Sequence, residues 1–475
     1  MVRTIPRRSL LALPFAMPAL LLGAKDTDAR IGDISFTFED FLYRAPYKFG
    51  GKEVDRVTML NVTCRLVGKS GKTAEGHAAM SMGNVWSYPA PGVPYETTLD
   101  AMKVLAARIA AITKDYKEFG HPLDVNHTLE PEYLKAAAEL SKARNLAFPI
   151  PKLCMLVTAS PFDAAIHDAY GRLHNRSAFS TSGKDFVRHD LAHYLTPEFA
   201  GEYLDRYVQP KAIPRVRMYH SAGASDPLTA AEITKPIHDG LPETLEDWIP
   251  HSGVTAIKIK LNGADLAWDV DRVAAIDRVT TLAQAKRGFK DWIYSLDFNE
   301  RCPNVQQLLE FDRRLKEKAP TAFGRVQYIE QPTARDLAAD RQNTMFEAAK
   351  LRPVVIDESL TGLDALQLAR EMGYTGVALK ACKGQSQTLL LAAAAQKYKM
   401  FRCVQDLTCP GAALVHSVGI AAHVPATSAL EANAREYVPS ASKGWERRFP
   451  GIFEVKDGYM YTKGLDGPGL CTSKS

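Results

Sequence analysis

From about residue 213 the chain alternates between short apolar runs and stretches of helical periodicity. It does so eight times, with strand candidates near 216, 256, 294, 327, 354, 377, 402 and 428. Stretches such as DLAWDVDRVAAIDRVTTLAQA separate them, and each step has the length of one strand–loop–helix unit. Few folds accept that order. It predicts an α/β protein built on a closed (β/α)₈ barrel of parallel strands, TIM-like.

Three consecutive strand candidates end in an acid: Asp297 in WIYSLDFNE, Glu330 in VQYIEQP and Asp357 in RPVVIDES. One such acid alone could cap a strand or face solvent. Three at the same register converge at the C-terminal mouth of a barrel. Hard oxygen ligands of this kind suit Mg²⁺ better than zinc, with Mn²⁺ as a possible substitute. Asn299 can aim a neutral donor or acceptor into the same mouth, and Glu431 in SALEANA can touch substrate or cap the last strand.

Lysine-bearing strands bracket the acids. Lys258 and Lys260 in AIKIKLNG are two apart and share one face of a strand. Lysines on the inward face of a barrel are unfavourable unless they are used, the alternative being a strand end open to solvent. Lys380 and Lys383 in GVALKACKGQ differ in parity, so only one shares the inward face, and Lys380 closes the apolar run. A divalent cation between two sets of lysines points to proton abstraction next to a carboxylate.

Residues 32–90 hold β-branched runs separated by turns, with VTMLNVTCRLVG and AEGHAAMSM reading as a hairpin about GKSGKT. GKSGKT is not a phosphate loop, because Leu66 and Thr63 stand where the leading glycine would be needed. Helical spacing follows over 98–118, 130–145 and 160–175, an α+β order. The expected division is a capping domain over 32–155, the barrel over 156–438 and a tail over 439–475. The tail, with KDGYMYTKGLDGPGL, has hairpin chemistry and returns to the capping domain.

Residues 1–24 have a basic start, a proline-broken apolar stretch and small residues at Gly23 and Ala24. That is an export-signal layout, too short for a membrane span. Arg7 and Arg8 before Ser9-Leu10-Leu11 resemble a twin-arginine signal and predict a periplasmic protein without a stable span after processing. An ordinary export signal or an N-terminal membrane anchor is the alternative. A net charge of +5 over 475 residues gives nucleic-acid binding no electrostatic support. Seven cysteines, an odd number without CxxC spacing, imply no zinc knuckle and read as small buried hydrophobes. A disulfide would need a pair the sequence does not name.

KIKLNG, LDFNE, YIEQP, IDESL and ALKACKGQ, in that order and spacing, resemble the enolase superfamily. They are most similar to its mandelate racemase/muconate lactonizing branch, in the muconate-lactonizing subgroup with lysines on the second and sixth barrel strands. AIHDAYGRLHN is similar to the family's helix leading into the barrel, and LDGPGL to its C-terminal signature. The resemblance implies a capping domain over the barrel mouth, one Mg²⁺ held by Asp297, Glu330 and Asp357, and a homo-oligomer. There are departures. The aspartate pair of dipeptide epimerases is missing at the eighth strand, and FRCVQDL offers no histidine–aspartate base. Gly384-Gln385 replaces the usual glycine pair, and the segment from 175 to 215 is longer than usual.

The chemistry so implied is removal of a proton α to a carboxylate, the enediolate being stabilised by Mg²⁺. Lys260 and Lys380 would act from opposite faces and Lys258 would add positive charge, so racemisation or epimerisation of a small-molecule carboxylate is the leading reading. A lyase, either dehydratase or cycloisomerase, uses the same enediolate with one lysine. A non-catalytic periplasmic carboxylate-binding protein would have no use for paired bases. Lys383 is a weaker substrate-binding candidate. Glu358 either orients Lys260 or faces solvent, and His220 reads as structural. The segment AAMSMGNVWSYP brings Met80, Met82 and Trp86 either over the substrate or into the core of the capping domain.

Overall fold

A computed structural model describes residues 25–473. The signal-like segment therefore lies outside the described residues. The chain opens with a three-stranded antiparallel sheet of β1 (Ala29–Phe49), β2 (Lys52–Gly68) and β3 (Thr73–Ser81). Gly50 and Gly51 close the first hairpin at φ of 50° and 72°, a left-handed turn that side chains rarely adopt. GKSGKT forms the second turn, where Gly68 N donates to Lys72 O at 2.9 Å.

Of helices Tyr95–Asp115, Pro122–Ala143 and Lys152–Leu173, the first and third pack on this sheet and the second packs against those two. The second begins eight residues earlier than its periodicity suggests. Pro122 occupies the first helical position, where its missing N–H is harmless, and His121 Nδ1 caps it by accepting from Leu123 N at 3.1 Å. The third helix crosses the boundary expected at 155/156. It buries 20 of its 22 residues because it lies between the sheet and the barrel. Asp168 on this helix accepts from His77 N of β3, and from Leu470 N and Ser473 Oγ of the tail.

Contact between this helix and β3 depends on Gly76. A Cβ there would sit 2.1 Å from Ala169 N and 2.5 Å from Ala165 O, both backbone atoms that cannot rotate away. Gly76→Ala is expected to destabilise the protein by at least the ~1–3 kcal/mol typical of core overpacking. A urea midpoint within error of the parent would show that the approach is looser than described.

The barrel begins at β4 (Arg215–Ala222) and continues through β5 (Ala256–Lys260), β6 (Ile293–Asp297), β7 (Val326–Glu330), β8 (Val354–Ile356), β9 (Gly376–Leu379), β10 (Phe401–Gln405) and β11 (Leu430–Glu431). All eight strands expected from the sequence are present. Every neighbouring pair is parallel, and β11 closes on β4 with Leu430 opposite Met218. Tyr219, Ala256, Tyr328, Val355, Ala378, Cys403 and Ala429 fill the barrel as a buried cluster of their own.

The tail adds β12 (Tyr459–Tyr461) antiparallel to the start of β4 before reaching the cap at Asp168. It therefore holds both domains. All seven cysteines are free and buried, and no described helix is long and apolar enough to cross a membrane.

Candidate active site

In β5, Ala256 belongs to the barrel interior, so the two-residue period turns Lys258 and Lys260 inward while Ile257 and Ile259 face the helices. Lys258 is 0% exposed and Lys260 6%. Lys258 Nζ donates to Glu330 Oε1 at 2.8 Å and Glu431 Oε2 at 2.7 Å, and lies 3.1 Å from Asp297 Oδ2. Lys260 Nζ donates to the same Asp297 oxygen at 2.5 Å. Glu431 thus serves as a partner of Lys258.

The three acids stand where strand counting put them. Asp297 and Glu330 are opposite each other in register, Glu330 faces Val355, and Asp357 follows the end of β8. Lys380, just past β9, places Nζ 2.8 Å from Asp357 Oδ2. Lys383 reaches the same residue, donating to its carbonyl oxygen at 2.5 Å and to Oδ1 at 3.1 Å. Parity alone gave Lys383 no such place. β9 stops at Leu379, and the tight turn of residues 381–383 breaks the period of two.

Asn299 has φ of 43°, and its N–H donates to Asp297 Oδ1 at 2.8 Å. Glu358 is buried and does not touch Lys260. Its Oε1 accepts the Trp86 indole N–H at 2.9 Å, and its Oε2 has no hydrogen-bond partner. Trp86 comes from the cap, and the Lys380 ammonium lies 4.5 Å from its ring centre. On the other side Lys260 lies 5.9 Å from the ring centre of Phe49, also of the cap. Met80 and Met82 are buried at 1% exposure, on the core side of that segment.

Gln405, the last residue of β10, went unnoticed in the sequence although it closes its strand as the acids do. Its amide donates to Glu330 Oε2. His220 pairs with Glu436 at 2.8 Å, away from the lysines.

Burial alone would lower the pKa of Lys258, but Glu330, Glu431 and Asp297 outweigh it and hold the ammonium well above the ordinary lysine value. Burial likewise opposes the charged forms of Lys260 and Lys380, and Asp297 and Asp357 respectively raise them. Burial would raise Asp297 and Asp357, and their lysines bring both below the usual carboxylate range. Glu330 goes the other way, pushed well up by burial and then by Asp297. Glu358 is pushed up to about 8 by burial and the charge of Asp357.

The acids fit a hard divalent cation by chemistry. They are three oxygen donors ending consecutive strands, with Glu330 crowded by negative charge from both neighbours. As they stand, lysines hold their oxygens, and among the described residues no three His, Cys, Asp or Glu side chains are grouped to hold a metal ion. Taking a cation therefore requires these carboxylates to let go of their lysines.

Residues 241–473 match the family described as Enolase C-terminal domain-like. No curated protein matches the chain. Among solved structures, the chain is similar to a dipeptide epimerase from Enterococcus faecalis V583 complexed with Mg and the dipeptide L-Leu-L-Tyr. That likeness has a TM-score of 0.60 at 13% identity and covers 93% of this chain and 99% of that one. An N-succinyl Arg/Lys racemase from Bacillus cereus ATCC 14579 gives 0.59 at 16% identity, covering 93% and 94%. A muconate lactonizing enzyme from Pseudomonas fluorescens, complexed with muconolactone, gives 0.57 at 15% identity, covering 93% and 96%. At these identities the structures attest to the fold alone. The family match assigns the segment 241–473, just under half of the chain, to the Enolase C-terminal domain-like family.

Proposed function

We propose that this protein is a Mg²⁺-dependent racemase or epimerase that removes the proton α to a small-molecule carboxylate, with Lys260 and Lys380 as opposed bases. One observation carries the reading. Lys260 ends the second barrel strand and Lys380 follows the sixth, four strands away in a ring of eight, and both are buried in the mouth. A substrate between them presents one face to each.

Asp297, Glu330 and Asp357 would hold Mg²⁺, which supplies positive charge to the substrate carboxylate and to the enediolate oxygens. A lysine must be neutral to act as a base. Asp297 and Asp357, which now keep Lys260 and Lys380 charged, are also the proposed ligands, so engaging them elsewhere removes that hold. The Lys258 ammonium disfavours the charged form of both Lys260 and Lys380. With one lysine neutral and the other charged, the first abstracts the proton and the second returns one to the opposite face. Phe49 and Trp86 of the cap cover the two lysines and exclude water.

The test is incubation in D₂O with Mg²⁺ and a panel of amino-acid, dipeptide and sugar-acid carboxylates, followed by NMR. Deuterium should enter the α position, the opposite configuration should accumulate, and chelation should stop both until Mg²⁺ is restored. Loss of a β-substituent would instead make the protein a lyase. No exchange across the panel, with the cation shown to bind, would refute the proton-transfer reading.

A further inference from the structure

The backbone holds the two proposed bases in different ways. Lys260 lies inside β5, paired in register with Asp297 of β6. Lys380 lies past the end of β9, at the head of the tight turn of residues 381–383, and among the described residues no strand pairing reaches it. Its carbonyl oxygen accepts instead from Lys383 N at 3.0 Å and from Thr388 Oγ1 at 2.7 Å. The second bond ties the turn to helix Gln385–Lys397. Where that helix starts therefore sets where Lys380 stands.

The start has no cap of its own. Gly384 precedes it at φ of 100° and has no side chain to offer the first N–H groups. The acceptor comes from the capping domain. Asp163, 4% exposed on helix Lys152–Leu173, accepts from Ser386 N at 2.7 Å and from Ser386 Oγ at 2.8 Å, one bond to each carboxylate oxygen. The hydroxyl hydrogen of Ser386 is spent on Asp163, so His167 Nε2, 2.8 Å from the same Oγ, donates to it. Two residues one turn apart on one helix thus grip Ser386.

Burial pushes Asp163 up to about 7, and the bonds from Ser386 oppose that by favouring its charged form. A Cβ at residue 384 would come 3.1 Å from Asp163 Oδ2, so the glycine also leaves room for the approach.

We propose that Asp163 is the positioning residue for Lys380. From the capping domain it caps the helix behind the sixth barrel strand and so fixes one base, while Lys260 stands without it. This role rests on the two-lysine reading above. It makes the docking of cap on barrel a condition for proton transfer at one face of the substrate and not at the other.

The test uses Asp163→Ala and Ser386→Ala in the full chain, with Mg²⁺ in D₂O and each stereoisomer of a carboxylate that the panel above shows to exchange. NMR reads the rate at which deuterium enters the unconverted substrate. The stereoisomer facing Lys380 is the one that Lys260→Ala still exchanges. For it Asp163→Ala should lose about 10–100-fold in rate, the scale of a base misplaced by about 1 Å. The stereoisomer facing Lys260 should keep a rate close to the parent's. Ser386→Ala removes one bond to Asp163 and leaves the other, so it should show the same preference with a smaller loss. It carries the test if Asp163→Ala does not fold. Equal losses for both stereoisomers, or none for either, at a parental melting temperature would overturn the role and leave the contact as packing alone. If the parent exchanges no carboxylate of the panel, the two-lysine reading falls and this role with it. A parent that exchanges both stereoisomers keeps the two failures apart.

Discussion

Replacing Lys258 with methionine is expected to lower the unfolding free energy by about 3–5 kcal/mol at neutral pH, the range for removing one partner of a buried ion pair. Lys258 has no exposure to solvent, and its single ammonium meets Glu330, Glu431 and Asp297. Methionine fills similar space, so the loss reports charge more than cavity. Of the three acids left behind, only Asp297 keeps another lysine, Lys260. The effect has a defined pH dependence. Without the ammonium, Glu330, already pushed up by burial, loses a charge that holds it down, and Asp297 loses one of its two lysines, so both carboxyls move up from where the parent holds them. An acid with a raised folded pKa disfavours folding above its unfolded pKa, and the penalty grows until the pH reaches the folded value. The gap between variant and parent should therefore narrow as pH falls from 7 towards about 4. Urea midpoints across that range measure it. A gap under ~1 kcal/mol at pH 7, the size expected of an exposed pair, would mean that Lys258 does not hold the barrel mouth together.

Lys258 also marks how far the sequence could be read. That it shares a face with Lys260 follows from strand parity, which needs only the strand's existence, whereas the inward direction of that face is set by Ala256 in the barrel interior. The positions of Asp297, Glu330 and Asp357 follow from counting strand ends in the same way. What escaped depends on where regular structure stops or on contacts remote in sequence. Lys383 reaches Asp357 only because β9 ends one residue before Lys380. Glu358 meets Trp86, 272 residues away, across the domain interface. Helix Pro122–Ala143 runs through Pro131, where local rules place a break. Packing against the neighbouring helices sustains it there. Gln405 was legible in principle, but as a neutral residue among acids it carried no charge signal.

The largest effect on chemistry is expected from the two bases, and it has a direction. Under the two-lysine proposal, Lys260→Ala and Lys380→Ala should each reduce racemisation by about 10²–10⁴-fold, the usual contribution of a positioned general base. Neither should abolish every proton transfer. Lys260→Ala keeps Lys380, so it should still exchange the α-proton of the stereoisomer that presents its hydrogen to that wall. Lys380→Ala should exchange the other stereoisomer. Each variant thus becomes one-handed, which NMR of the separate stereoisomers in D₂O reads directly. Both variants leave Lys258 and the three acids in place, so binding of Mg²⁺ measured by calorimetry should survive and separate lost chemistry from a lost site. A lyase predicts another pattern: one variant inert with either stereoisomer and the other close to parental. Equal residual exchange of both stereoisomers by each variant would falsify the assignment of one lysine to each face. Because Lys260 and Lys380 sit four strands apart on a closed ring, no relaxation short of breaking the barrel brings both to the same side.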